Sequence, residues 1–182
     1  MQNHISIRII YFVLGSLCED VSLHVLKIVY HAHIVSHLRN LIIFWGHSAE
    51  AKRAFILQKR ALRTIYKVNR FQSCVPLFNK FGVMPLPCIY IAECSLFVKK
   101  HSNLFDKNSD FHSYNTRSCS NFRNAPHKKA MYEKSPKYRF THIFNALPLY
   151  IKNIQKIDSF KKELTKYLMS KNYYCINDYL TG

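Results

Sequence analysis

Apolar positions along the chain fall into helical rhythms separated by short polar breaks. From Ser22, the run SLHVLKIVYHAHIVSHLRNLIIFWG repeats apolar residues at three- and four-residue spacing: Leu23, Leu26, Val29/Tyr30, His33/Ile34 and His37/Leu38. That spacing predicts a helix with one buried face. The run becomes continuously apolar through LIIFW (41–45) and stops at Gly46, a natural residue just past a helix end. A second helix is predicted from Ala49 to Arg70. At about 100° per residue, Ala51, Ala54, Phe55, Ala61, Leu62 and Ile65 share one side, while Lys52, Lys59, Arg60, Arg63, Lys67 and Arg70 fall on the other. Ser48 is placed to cap it, and Glu50 lies in the first turn, where the helix dipole favours an acid. Two helices joined this tightly predict a helical hairpin.

Further on, Ser73 is placed to cap a short helix ending before Gly82. VMPLP then interrupts the chain, and Pro87 to about Lys100 reads as another amphipathic helix. Residues 102–134 are polar and irregular, a linker or a surface-hugging loop. After Ser135-Pro136, KYRFTHIFNALP predicts a short helix closed by Pro148. The C-terminal run, with Asp158 or Ser159 as cap, places Phe160, Leu164 and Tyr167/Leu168 on one face. The expected fold is mainly α: a helical hairpin, additional short helices, a long irregular loop and a C-terminal helix. The expected divisions are 1–70, 71–101, 102–134 and 135–182.

Composition agrees with a helical chain that has a core. Of 182 residues, 48% are hydrophobic, and there are only 4 Gly and 6 Pro. Charge changes the picture more. There are 27 Lys and Arg against 10 Asp and Glu, a net charge of +17. The basic face of the second helix therefore has almost no acids to pair with. A solvated helix face usually mixes signs at i,i+4 spacing, so the balance here moves toward an anionic partner such as RNA, DNA or an anionic membrane surface.

Candidate chemistry is sparse. The only adjacent acids are Glu19-Asp20, best explained as helix-start residues, and two-metal nucleotidyl transfer needs converging carboxylates. No Gly-rich phosphate loop, H-E-x-x-H or G-x-S-x-G motif is present. His33 and His37 stand at i,i+4 and could share a metal with Cys18. Polar spacing on a packed helix is the simpler account, and no metal or cofactor is expected. The six cysteines form no C-x-x-C pair, which fits reduced thiols and a cytoplasmic or nuclear rather than secreted protein. The apolar segment 5–17 is too short to span a bilayer and is interrupted by Arg8. A core element is the expected reading, with a membrane anchor as the alternative.

Aromatic and basic residues interleave at two places. SYNTRSCSNFRN (113–124) carries Tyr114, Arg117, Phe122 and Arg123. KSPKYRF (134–140) carries Lys134, Lys137, Tyr138, Arg139 and Phe140. Such pairs can stack on unpaired bases and hold phosphates, and equally can pin a loop to a helical core.

The order of these landmarks resembles the C-terminal portion of a non-LTR retrotransposon reverse transcriptase of the jockey-like kind. The matching stretches are VLKIVYHAHIVSHLRNLIIFWGHS (25–48), AKRAFILQKRALRTIYKV (51–68), SCVPLFNKFGVMPLPCIYIAECSLFVKK (73–100), HSYNTR (112–117), and KSPKYRFTHIFNALP with SFKKELTKYL (134–148, 159–168). The resemblance runs from about residue 10 to 180. It implies that residues to about 70 form a helical thumb, which grips the template–primer duplex behind the active site, followed by the downstream tail. The palm, with its metal-binding aspartates, is not in this sequence. The implied role is then non-catalytic, with non-specific contact to the RNA or DNA backbone and with the palm as a protein partner. A co-opted host nucleic-acid-binding or interaction module is the alternative. Two departures stand out: Asn40-Leu41 replaces the family's usual Tyr-Gly pair before IIFWG, and Gly15 stands where a basic residue is usual.

Overall fold

The computed structural model describes residues 15–18, 20–111, 119–124, 126–128, 130–133 and 135–181. Among these the chain is all-helical, with one isolated antiparallel bridge between Lys107 and Phe122. After a helical stretch at 15–17, eleven further α-helices follow in order. The first four are α1 (Leu23–Val29), α2 (Ser36–Arg39), α3 (Ile42–Trp45) and α4 (Ala49–Ile65). Next come α5 (Val75–Phe81), α6 (Leu86–Lys100), α7 (Ala130–Glu133) and α8 (Pro136–Asn145). The last three are α9 (Leu149–Lys152), α10 (Ile157–Lys171) and α11 (Ile176–Thr181). A π-helical segment, Tyr30–Val35, joins α1 to α2, so the predicted first helix is one run with a widened middle. Two compact units divide the chain. One comprises residues up to Tyr90 with Leu168–Cys175, the other Ile91–Tyr167 with the C-terminal residues from Ile176.

In the first unit, Leu26, Tyr30, Ile34 and Leu38 form a buried line at four-residue spacing, as the rhythm predicts, whereas Leu23 is exposed. The break after Arg39 corrects the expected continuous run to Gly46. Leu41 adopts φ 51°, ψ 26°, a left-handed conformation that costs a non-glycine residue about 1–2 kcal/mol. Gly46 itself has φ −63° and is not a left-handed cap. Its requirement is space, because an added Cβ would lie 2.3 Å from Tyr90 Cδ2.

Helix α4 buries Ala51, Ala54, Phe55, Ala61, Leu62 and Ile65, the side expected from the pattern, and also Gln58. It ends at Ile65, five residues short of the predicted Arg70. Lys67 turns left-handed at φ 51°, its N–H bonds Thr64 O at 3.0 Å, and Val68 N–H bonds Arg63 O at 3.0 Å. These two bonds make a Schellman cap, which satisfies carbonyls of the last turn. Gly82, at φ 68°, closes α5 in the expected place.

In the second unit, the C-terminal part of α6 packs against α8 and α10. Phe97 meets Phe140 at 5.3 Å between ring centroids, and Lys99 Nζ lies 5.5 Å from the Phe160 ring. Phe160, Leu164 and Leu168 on α10 are fully buried, matching the predicted face, although the helix begins at Ile157 rather than after an Asp158 or Ser159 cap. Ser135 caps α8, its Oγ accepting from Tyr138 N–H at 3.3 Å. The stretch expected to be an irregular loop has more order than that. It contains 3-10 turns at Ser102–Leu104 and Asn108–Asp110 as well as α7.

Candidate nucleic-acid interface

The C-terminal half of α4 and the turn that follows it form an open groove of about 560 Å³. Lys59, Arg60, Arg63, Lys67 and Arg70 line it, with Ile56, Thr64, Val68 and Phe71 between them. The helical stripe supplies the first three cations. The Schellman turn supplies Lys67, and the chain beyond it supplies Arg70. Lys67 and Arg70 thus join the basic patch through the turn and not through a longer helix. Among the described residues, no carboxylate lies within ion-pair distance of any of these five cations. Lys52, exposed earlier on α4, is not part of the lining. The acid of that first turn, Glu50, pairs with Arg53 at 2.9 Å.

The five cations do not do the same work. Arg63 donates from Nε and Nη2 to the Gln72 carbonyl, at 3.0 and 2.8 Å, and so ties the following turn to the helix. Lys59 Nζ sits 4.6 Å from the Phe55 ring centroid, its stem lying over the aromatic core. Arg60, Lys67 and Arg70 are exposed. Arg70 places its guanidinium 4.6 Å from the centroid of Phe71, and Phe71 is 80% exposed. Cys74 is buried, its Sγ 3.7 Å from Lys59 O. Burial raises its thiol pKa, while Arg63 and Lys59 oppose that shift.

The other sequence candidates lie in the second unit or outside the described residues. Tyr114 and Arg117 are outside them. Arg123 holds its guanidinium 3.7 Å from the Phe111 ring centroid. Lys137 lies 3.8 Å from Asp106, an exposed pair that contributes little to stability. Arg139 is half-buried, with its Nε shielded from solvent. Phe122 and Phe140 belong to the core of their unit. Phe122 packs on Phe105 and Phe144, and its backbone is clamped from both sides by the Asn145 amide, at 3.0 and 2.8 Å. For these two rings the pinning role holds, and they offer no stacking platform.

Some basic residues are structural, a role that charge counting does not reveal. Lys99 Nζ donates to Lys152 O at 3.0 Å, and Lys152 Nζ donates to Asn145 O at 3.0 Å. Burial lowers the pKa of both ammonium groups. Among the described residues, no three His, Cys, Asp or Glu side chains converge to hold a metal, His33, His37 and Cys18 included. No single described helix is long and apolar enough to cross a membrane. No family model, curated protein or solved structure matches the chain.

Proposed function

We propose that this chain is a helical module that binds polynucleotide backbone without base readout. The observation that carries the reading is the groove beside α4, where five cations gather with no described carboxylate in reach. Phosphate contacts position a protein on nucleic acid through charge and shape alone, so a lysine- and arginine-lined groove suffices.

More particularly, the module is the thumb and tail portion of a reverse transcriptase of the non-LTR retrotransposon kind. The ordered landmarks support that assignment. So does Leu41, whose left-handed backbone falls where the family pattern has glycine. Leu23, Val25, Ile28, Leu41 and Phe44 are exposed on the segment before α4, which suits a thumb that packs on a palm. In this reading the chemistry belongs to the palm, and the present residues contribute grip.

Binding of this type releases counterions and is steeply salt-dependent. If Lys59, Arg60, Lys67 and Arg70 each neutralise one phosphate, log K on duplex DNA should fall with a slope of about −3.6 against log[salt]. Fluorescence anisotropy across a salt series measures it. A slope near zero, or no binding at low salt, contradicts the proposal.

A further inference from the structure

We infer that the α4 groove binds single-stranded nucleic acid more tightly than duplex, with Phe71 stacking on an unpaired base while Arg60, Lys67 and Arg70 hold flanking phosphates. This rests on the polynucleotide-binding reading above and narrows its ligand.

Phe71 stands at the edge of the cationic groove with 80% of its surface in solvent. Its backbone is held in place. Gln72 N–H bonds Asn69 O at 3.0 Å, Phe71 N–H bonds Asn69 Oδ1 at 3.1 Å, and Arg63 grips the Gln72 carbonyl twice. A backbone tethered in this way needs little further ordering when a ligand arrives. Arg70 lies against the ring at 4.6 Å, and a flat ring with a guanidinium beside it retains a second face for a base.

The mixed lining decides between the two forms of ligand. A duplex presents phosphates and sugars to such a groove and keeps its bases stacked inside. Ile56, Val68 and the Phe71 ring would then have no matching surface. A single strand presents phosphates and base faces together, and every base has a π-face, so the contact needs no particular sequence. Charge selects the backbone, and the aromatic edge selects the unpaired state.

The test compares the full chain with its Phe71→Ala and Phe71→Trp variants on a labelled oligothymidine and on a duplex of equal length. Phe71→Ala should weaken oligothymidine binding about tenfold and duplex binding by less than about twofold, with the oligothymidine salt slope unchanged. Phe71→Trp should keep oligothymidine affinity at or above that of the unaltered chain. Because the ring is exposed, neither change disturbs the core. Equal losses on both ligands, or no loss on oligothymidine, overturn the single-strand assignment while leaving salt-dependent backbone binding in place. If the unaltered chain binds neither ligand, the backbone-binding reading falls and takes this inference with it.

Discussion

Replacing Gln58 with leucine is expected to lower the unfolding free energy by about 3–4 kcal/mol, although the two side chains have similar bulk. Gln58 is fully buried on the apolar side of α4. Its Nε2 donates to Met84 O at 2.9 Å, and its Oε1 accepts from Leu86 N–H at 2.8 Å. Leu86 is the first residue of α6, and the first N–H groups of a helix have no partner within it. A side chain from α4 therefore caps α6, and the same amide satisfies the carbonyl two residues earlier. Leucine would leave both backbone groups buried and unbonded, each costing about 1–3 kcal/mol, partly offset by its own burial. Urea denaturation followed by far-ultraviolet circular dichroism measures the change. A loss below about 1 kcal/mol would mean that water reaches Met84 and Leu86 and that the amide is not their essential partner.

The second large effect is expected at Gly46. Its φ of −63° suits any residue, so backbone freedom is not why glycine is needed. A Cβ there would lie 2.3 Å from Tyr90 Cδ2, 2.8 Å from Tyr90 Cγ and 2.8 Å from Ile42 O. Tyr90 is itself buried, so its ring has little room to retreat. Gly46→Ala should cost about 3 kcal/mol or more, at the upper end of overpacking penalties. The cause can be isolated with a double-mutant cycle. In a Tyr90→Ala background the alanine meets no ring, so its additional cost should shrink by more than half. Equal costs in the two backgrounds would place the requirement elsewhere.

These two positions mark where the sequence was and was not legible. Helical periodicity located most of the elements and the buried faces of α4 and α10, because an apolar stripe at helical spacing has few other uses. Pattern alone missed Gln58, since a glutamine within a helix-forming run carries no sign of burial. Gly46 was legible as a special residue, but its reason was not, because close approach to Tyr90 depends on packing across 44 positions of chain. The left-handed turns at Leu41 and Lys67 were unmarked by glycine. The helix ends there were consequently drawn too late.

The candidate site was legible in outline. The basic stripe of Lys59, Arg60 and Arg63 is visible on a helical wheel, and the Schellman turn that brings Lys67 and Arg70 beside it is not. Phe71 went unnoticed because a lone aromatic between two helices has no periodic signature. Conversely, Phe122 and Phe140, which beside arginines fit stacking and pinning equally well in the sequence, are core. Only burial separates these cases.

The central claim is that this groove, and not the overall charge of +17, binds nucleic acid. The most direct test compares two triple variants of equal charge change by salt titration on one oligonucleotide. The first neutralises Arg60, Lys67 and Arg70 to glutamine. The second neutralises Lys161, Lys162 and Lys166, exposed on α10 in the other unit. The account predicts that the groove variant flattens the salt slope by about 2–3, while the α10 variant changes it by less than about 0.5. Equal flattening by both variants, or none by the first, would contradict it.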